Sequence, residues 1–171
     1  MFQNYPTPQA MAEAPPEEIE SLIRSTGFFR AKTRALLGCC RALCERHGGQ
    51  VPTNMEELSA LPGVGRKTAN VVLGAAYGIP SGIVVDTHMA RVARRLGLTR
   101  SDDPVRIESD LMSLFPQTSW VFVSIAMVLH GRYVCQARRP LCNECALRRH
   151  CPSRDLLDRP PRRRPRGRGR G

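Results

Sequence analysis

The chain has 171 residues, a formal charge of +11 and a pI near 10.2, with 42% hydrophobic residues. That is enough apolar material for one domain, or one and a part, around a packed core. No apolar run reaches membrane-span length, and the first residues carry no signal-peptide pattern. Residues 1–14, with Pro6 and Pro8, are expected to be a poorly ordered start. Pro15-Pro16-Glu17-Glu18 opens a first helix as the chemistry of helix N-termini favours, and Thr26-Gly27 stops it. A longer helix spans 28–47 and closes at Gly48-Gly49. Its Cys39, Cys40 and Cys44 fall among leucines and match no metal spacing, so they read as core filler. Residues 81–85 form a short extended connection. Asp86 then caps a helix running to Leu96, with Arg91, Arg94 and Arg95 along one side. His88 has no ligand partner at metal spacing and reads as structural. Asp103-Pro104 starts the next helix, and 118–130, the most apolar of all, is expected to stop at Gly131. Every element from 15 to 131 reads as helix, giving an all-α core with no alternating strand pattern.

One stretch organises the rest: Leu61-Pro62-Gly63-Val64-Gly65-Arg66-Lys67-Thr68-Ala69-Asn70. Thr53-Asn54-Met55-Glu56 reads as a capping box opening a short helix that Pro62 ends. A second helix follows, to Tyr77. Between them, Gly-Val-Gly allows a turn with positive φ and close backbone approach to a ligand. Amides at the start of a helix suit a phosphate oxygen. The helix-hairpin-helix, about 54–77, is therefore either a phosphate grip or a tight turn that needs glycine only for sterics. Lys67 favours the grip. Among 26 Lys and Arg there are two lysines, Lys32 and Lys67. Arginine keeps its proton in a protein, whereas lysine can act as a free amine. A lysine directly after such a turn is a candidate nucleophile, although a phosphate-binding cation would also suit the position.

The charge points to nucleic acid. Six arginines lie in the last ten residues, which leaves +5 on the remainder. The Pro/Arg/Gly segment, 153–171, has nothing to bury and is expected to be disordered. Ahead of it stand Cys135, Cys142, Cys145 and Cys151, four cysteines within 17 residues. Their spacing marks one metal centre, either a four-cysteine zinc site or an iron–sulfur cluster. Arg138, Arg139, Arg148 and Arg149 make the loop basic. Cysteine used this way fits a cytosolic protein better than disulfides do.

Four segments in this order, residues 61–70, Val85-Asp86-Thr87-His88, His130-Gly131-Arg132-Tyr133 and Cys-x6-Cys-x2-Cys-x5-Cys, resemble the endonuclease III family. The family comprises helix-hairpin-helix DNA glycosylases and apurinic/apyrimidinic-site lyases of base excision repair. The resemblance covers about residues 7–152. It implies the all-α glycosylase fold, with a helical core at 15–131 and a cluster loop at 132–152 holding a [4Fe-4S] cluster. It implies Lys67 as nucleophile, Asp86 as catalytic aspartate, and Gly63, Val64, Gly65, Arg66, Arg138 and Arg139 as DNA contacts. The substrate would be duplex DNA with oxidised pyrimidines or abasic sites, handled by a monomer at the nucleoid in the cytoplasm and with no membrane partner. A monofunctional adenine or mismatch glycosylase is a second reading, which Lys67 weighs against. A truncated, non-catalytic DNA-binding remnant is a third. The family pattern opens a few dozen residues ahead of Met1, with helices of the core, one helix of the cluster domain and a gap-filling loop. The expectation is an N-terminally truncated fold with exposed apolar faces.

Overall fold

The computed structural model describes residues 1–155, so the expected disordered tail lies largely outside the described residues. Those residues are helical, without strands, and divide into two compact units that meet in sequence at Val84 and Val85. The division falls within the single core expected for 15–131. It lies inside residues 78–86, a non-helical stretch between the fifth and sixth α-helices.

The first unit holds α1 (Pro8–Ala12), α2 (Pro16–Ile23), α3 (Phe29–His47), α4 (Met55–Ser59) and α5 (Arg66–Tyr77). The expected loose start is instead folded. Thr7 caps α1 by accepting from the Ala10 amide at 3.1 Å. Met11, Ala12 and Ala14 are buried with Ile19 of α2 and Leu37 and Cys40 of α3. Two prolines that looked like fraying therefore sit where a short helix can begin, and apolar contact with α3 holds it. Cys40 is buried in this cluster, as core filler should be, and burial pushes its thiol and that of Cys39 up. A second cluster joins Ala42 and Leu43 of α3, Leu58 of α4, Leu61, and Ala69 and Leu73 of α5.

The second unit holds α6 (Thr87–Arg95), α7 (Pro104–Leu114), α8 (Trp120–Tyr133) and the cysteine loop with its two short 3-10 turns. Asp103 caps α7 by accepting from the Arg106 amide at 2.8 Å. α6 packs against both α7 and α8. α8 does not stop at Gly131 but runs through it to Tyr133. A Cβ at Gly131 would lie 2.9 Å from the His88 Cβ and 3.1 Å from a Val92 methyl. This glycine is a packing residue that lets α8 approach α6, and a lone sequence cannot distinguish that use from a helix stop. α8 is apolar all round, yet it leaves Phe122, Ile125, Leu129 and Tyr133 exposed along one stripe. No single helix among the described residues is long and apolar enough to cross a membrane.

Gly131→Ala forces α6 and α8 apart at a backbone contact. It should cost about 1–3 kcal/mol, the usual range for overpacking. The check is a lower urea midpoint with an unchanged denaturant slope.

Candidate functional site

In the first unit the hairpin is built by two helix ends and one packing contact. Asn54, not Thr53, caps α4, accepting from the Glu57 amide at 2.9 Å, so the expected capping box is shifted by one residue. Gly63 has φ +76, and a Cβ there would sit 2.6 Å from the Ala35 Cβ of α3. Pro62 lies against Gly38 one turn further along α3, where a Cβ would meet it at 3.2 Å. The turn is thus seated on α3, and Gly63 is required by the fold itself. Val64 packs on the second core cluster, and its amide donates to the Leu61 carbonyl at 3.1 Å. Expected as a DNA contact, it is occupied in holding the turn to the core.

Gly65 differs. It is the N-cap of α5, has φ −92, and a Cβ there would meet nothing within 4 Å. Neither conformation nor packing demands glycine here. What glycine does is leave the start of α5 without a side-chain cap. The first amides of a helix need acceptors, and the positive end of the helix dipole favours an anion. Arg66 and Lys67 occupy the first turn and are exposed. The helix is fixed from below by Asn70, which is buried and accepts a 2.8 Å hydrogen bond from the Ser81 hydroxyl.

The same unit contains a feature that sequence reasoning missed. Phe28, at the start of α3, is 90% exposed and has φ +49. A non-glycine residue in the left-handed region is uncommon, and for a bulky one it is strained. The signal in the sequence was the Gly27-Phe28-Phe29 run at a helix start.

In the second unit, Asp86 caps α6. Its Oδ1 accepts from the amides of both His88 and Met89 at 2.8 Å, and the side chain is half-buried. Neither of these caps uses Oδ2. Farther along the helix, Arg91 donates from Nη2 to the Gly131 carbonyl at 2.7 Å and from Nε to the Cys135 carbonyl at 3.1 Å. It also meets His88 Nδ1 at 3.2 Å, which gives His88 the structural role expected of it. Arg95 reaches Cys135, Gln136 and Ala137. The sequence placed these arginines on one side of a helix but gave no hint of partners some 40 residues away.

Cys135, Cys142, Cys145 and Cys151 are all half-buried. Desolvation pushes the Cys142 thiol up. The Cys135, Cys151 and Cys145 sulfurs push it further, and the Arg95 guanidinium opposes them. The four sulfurs therefore share one local field. Among the described residues no three His, Cys, Asp or Glu side chains come close enough to grip one metal ion. His130 Nε2 lies 3.7 Å from the Cys145 sulfur, and burial lowers its pKa, which favours neutral imidazole. Arg138 and Arg139 are exposed on the loop. Gly63, Val64, Gly65, Arg66 and Lys67 thus lie in the first unit, and Asp86 and the four cysteines lie in the second.

The model of the HhH-GPD superfamily of base excision DNA repair proteins matches residues 1–117. Endonuclease III of Synechocystis is 56% identical over 153 residues, covering 90% of this chain and 70% of that protein. The chain belongs to the endonuclease III family. A structure described as a non-covalent endonuclease III–DNA complex superposes with a TM-score of 0.87 at 42% identity, covering 93% of this chain and 74% of the other. A structure of a trapped endonuclease III–DNA covalent intermediate superposes equally well, also with a TM-score of 0.87 at 42% identity, covering 92% and 74%. These similarities carry the all-helical hairpin fold across nearly the whole chain of this endonuclease III family member.

The two hairpin glycines should separate by substitution. Gly63→Ala meets both a positive φ and a 2.6 Å contact, so it should lower thermal stability. Gly65→Ala should leave the melting temperature almost unchanged while weakening binding to duplex DNA. A calorimetric scan and a fluorescence titration on each variant check the pair.

Proposed function

We propose that this chain is a bifunctional base-excision enzyme acting on oxidised pyrimidines and abasic sites in duplex DNA, with Lys67 as nucleophile and Asp86 as its acid–base partner. The observation that carries the reading is an exposed lysine in the first turn of a helix whose N-terminus no side chain caps. A base inside a duplex is out of reach, so the nucleotide must be flipped into the enzyme. The hairpin would hold the DNA backbone next to the lesion. Gly63 and Gly65 would present amides to a phosphate while Val64 anchors the turn. Arg66, Arg138 and Arg139 would add phosphate contacts, which position without reading sequence. Phe28 is an exposed aromatic held by a strained backbone, the kind of apolar group that wedges between base steps when DNA is kinked.

The chemistry follows from the two side chains. Asp86 takes a proton from Lys67 and hands it to the departing base, and the carboxylate so restored stabilises the positive character left on the sugar. Capping through Oδ1 holds the carboxylate, and neither cap uses Oδ2. The Lys67 amine attacks C1′, a C–N bond forms, and the C1′–base bond breaks as the base leaves protonated. Sugar-ring opening gives the Schiff base. Loss of a C2′ proton then breaks the C3′–O bond and cuts the strand 3′ to the lesion. An aspartate alone would remove a base without cutting, so the lysine is what supports both steps.

Cys135, Cys142, Cys145 and Cys151 would hold a [4Fe-4S] cluster. Four soft sulfur donors in one half-buried loop suit it, and the family membership supports it over zinc. When bound, the cluster would supply a rigid cross-link for the loop that carries Arg138 and Arg139.

The test is turnover of an oligonucleotide duplex bearing one oxidised pyrimidine. The wild-type chain should release the base and nick the strand. Lys67→Arg should bind the duplex but not nick it, because arginine offers no free amine. Asp86→Asn keeps a cap and should fold, yet lower kcat by roughly 10²–10³-fold, as the loss of one electrostatic group does. Nicking by Lys67→Arg at the wild-type rate would remove the assignment.

A further inference from the structure

One residue of α6, Arg95, touches both ends of the cysteine loop, by its side chain at one end and its backbone carbonyl at the other. Arg95 Nη1 lies 3.3 Å from the Cys135 sulfur and donates to the Gln136 carbonyl at 2.7 Å. It also donates to the Cys135 carbonyl at 3.3 Å, and Nη2 donates to the Ala137 carbonyl at 2.9 Å. At the other end of the loop, the Cys151 thiol donates to the backbone carbonyl of Arg95 at 3.5 Å. The first and last cysteines thus flank one residue of α6.

We propose that Arg95 is a positioning residue for the iron–sulfur cluster, fastening Cys135 and the chain after it so that the loop closes around the metal centre. This rests on the iron–sulfur reading of the four cysteines. The argument is one of charge and shape. Three successive carbonyls, 135 to 137, turn toward one point. Such an array is repulsive unless a cation with several donors sits among them. The planar guanidinium has five N–H groups in a fixed fork, whereas an ammonium is a point charge that cannot span the set. The contact with the Cys135 sulfur becomes charge-assisted when that sulfur is a thiolate, and so strengthens on metal binding. The Cys151 contact behaves differently. Its proton leaves when the sulfur binds metal, so that contact locates Cys151 beside Arg95 and does not persist as a bond. Arg91, one turn earlier, shares the Cys135 carbonyl but works toward the end of α8 through Gly131. Arg94, next in sequence, is exposed and pairs with Asp102, so it serves as an internal control.

Two consequences separate this role from general stabilisation. Outer contacts that orient metal ligands typically change metal retention by 10–100-fold when removed. Hydrogen bonds to cluster sulfurs also set its reduction potential. An N–H directed at a ligand sulfur favours the more electron-rich, reduced cluster, so its loss moves the potential down.

The experiment uses the full chain purified without oxygen, as wild type, Arg95→Met, Arg95→Lys and Arg94→Met. Iron per chain, the rate of iron release to a chelator, the cluster potential by film voltammetry and far-UV circular dichroism are measured on each. The wild type should hold about four irons. Arg95→Met should release iron about ten-fold faster or more. Arg95→Lys keeps the charge but lacks the fork, so it should also release faster and show a lower potential. Arg94→Met should match wild type. If Arg95→Met does not fold, Arg95→Lys carries the test. Wild-type release and potential in Arg95→Lys, or equal loss in Arg94→Met, would overturn the proposal. A wild-type chain that binds no iron would instead overturn the cluster reading beneath it.

Discussion

Two helix N-termini in this protein meet the same physical demand in opposite ways. The first amides of any helix lack internal acceptors. α6 satisfies two of its own amides with one oxygen of Asp86, at 2.8 Å each. α5 begins at Gly65, which has no side chain to offer. A capped end holds a carboxylate in fixed orientation, and an uncapped end awaits an anion. The proposed chemistry needs both, a fixed carboxylate as acid–base partner and an open helix end to receive a phosphate beside the lysine. A cap on α5 would take away the open end, and loss of the cap on α6 would free the carboxylate from its fixed orientation.

Glycine and arginine set how closely the parts approach. Gly63 against Ala35 seats the hairpin on α3, and Gly131 against His88 and Val92 lets α8 lie on α6. Both contacts are tighter than any side chain allows. Gly65 has no such constraint, and that freedom is the argument that its place is reserved for a ligand. On the other side of α6, Arg91 and Arg95 carry the helix's hydrogen bonding outward to the cysteine loop. α6 therefore bears the carboxylate at its start and the loop's fastening at its end, within about two turns of backbone.

What was legible in the sequence was local. The helix ends at Gly48 and Gly78, the caps at Asp86 and Asp103, and the hairpin between two helices depend on residues a few positions apart. What was not legible depended on partners far along the chain. Residues 1–14 fold because Met11 and Ala12 meet α3, not because their own propensity is high. Gly131 looked like a stop because a stop and a close crossing ask for the same residue. Val64 read as a ligand contact from its neighbours, and nothing local showed that its side chain also packs on the core. Arg95 stood on a helix face with no local sign that three carbonyls and a sulfur would gather around it. Phe28 was visible as an aromatic but not as a strained, exposed one.

The central claim is that one particular amine performs the covalent step. Its most direct test is chemical mapping. The wild-type chain is incubated with duplex DNA containing an abasic site, reduced with borohydride, digested and sequenced by tandem mass spectrometry. The account predicts a sugar adduct on the peptide containing Gly65-Arg66-Lys67, with the added mass on Lys67. An adduct on Lys32 or on the N-terminal amine, with Lys67 unmodified, would contradict it.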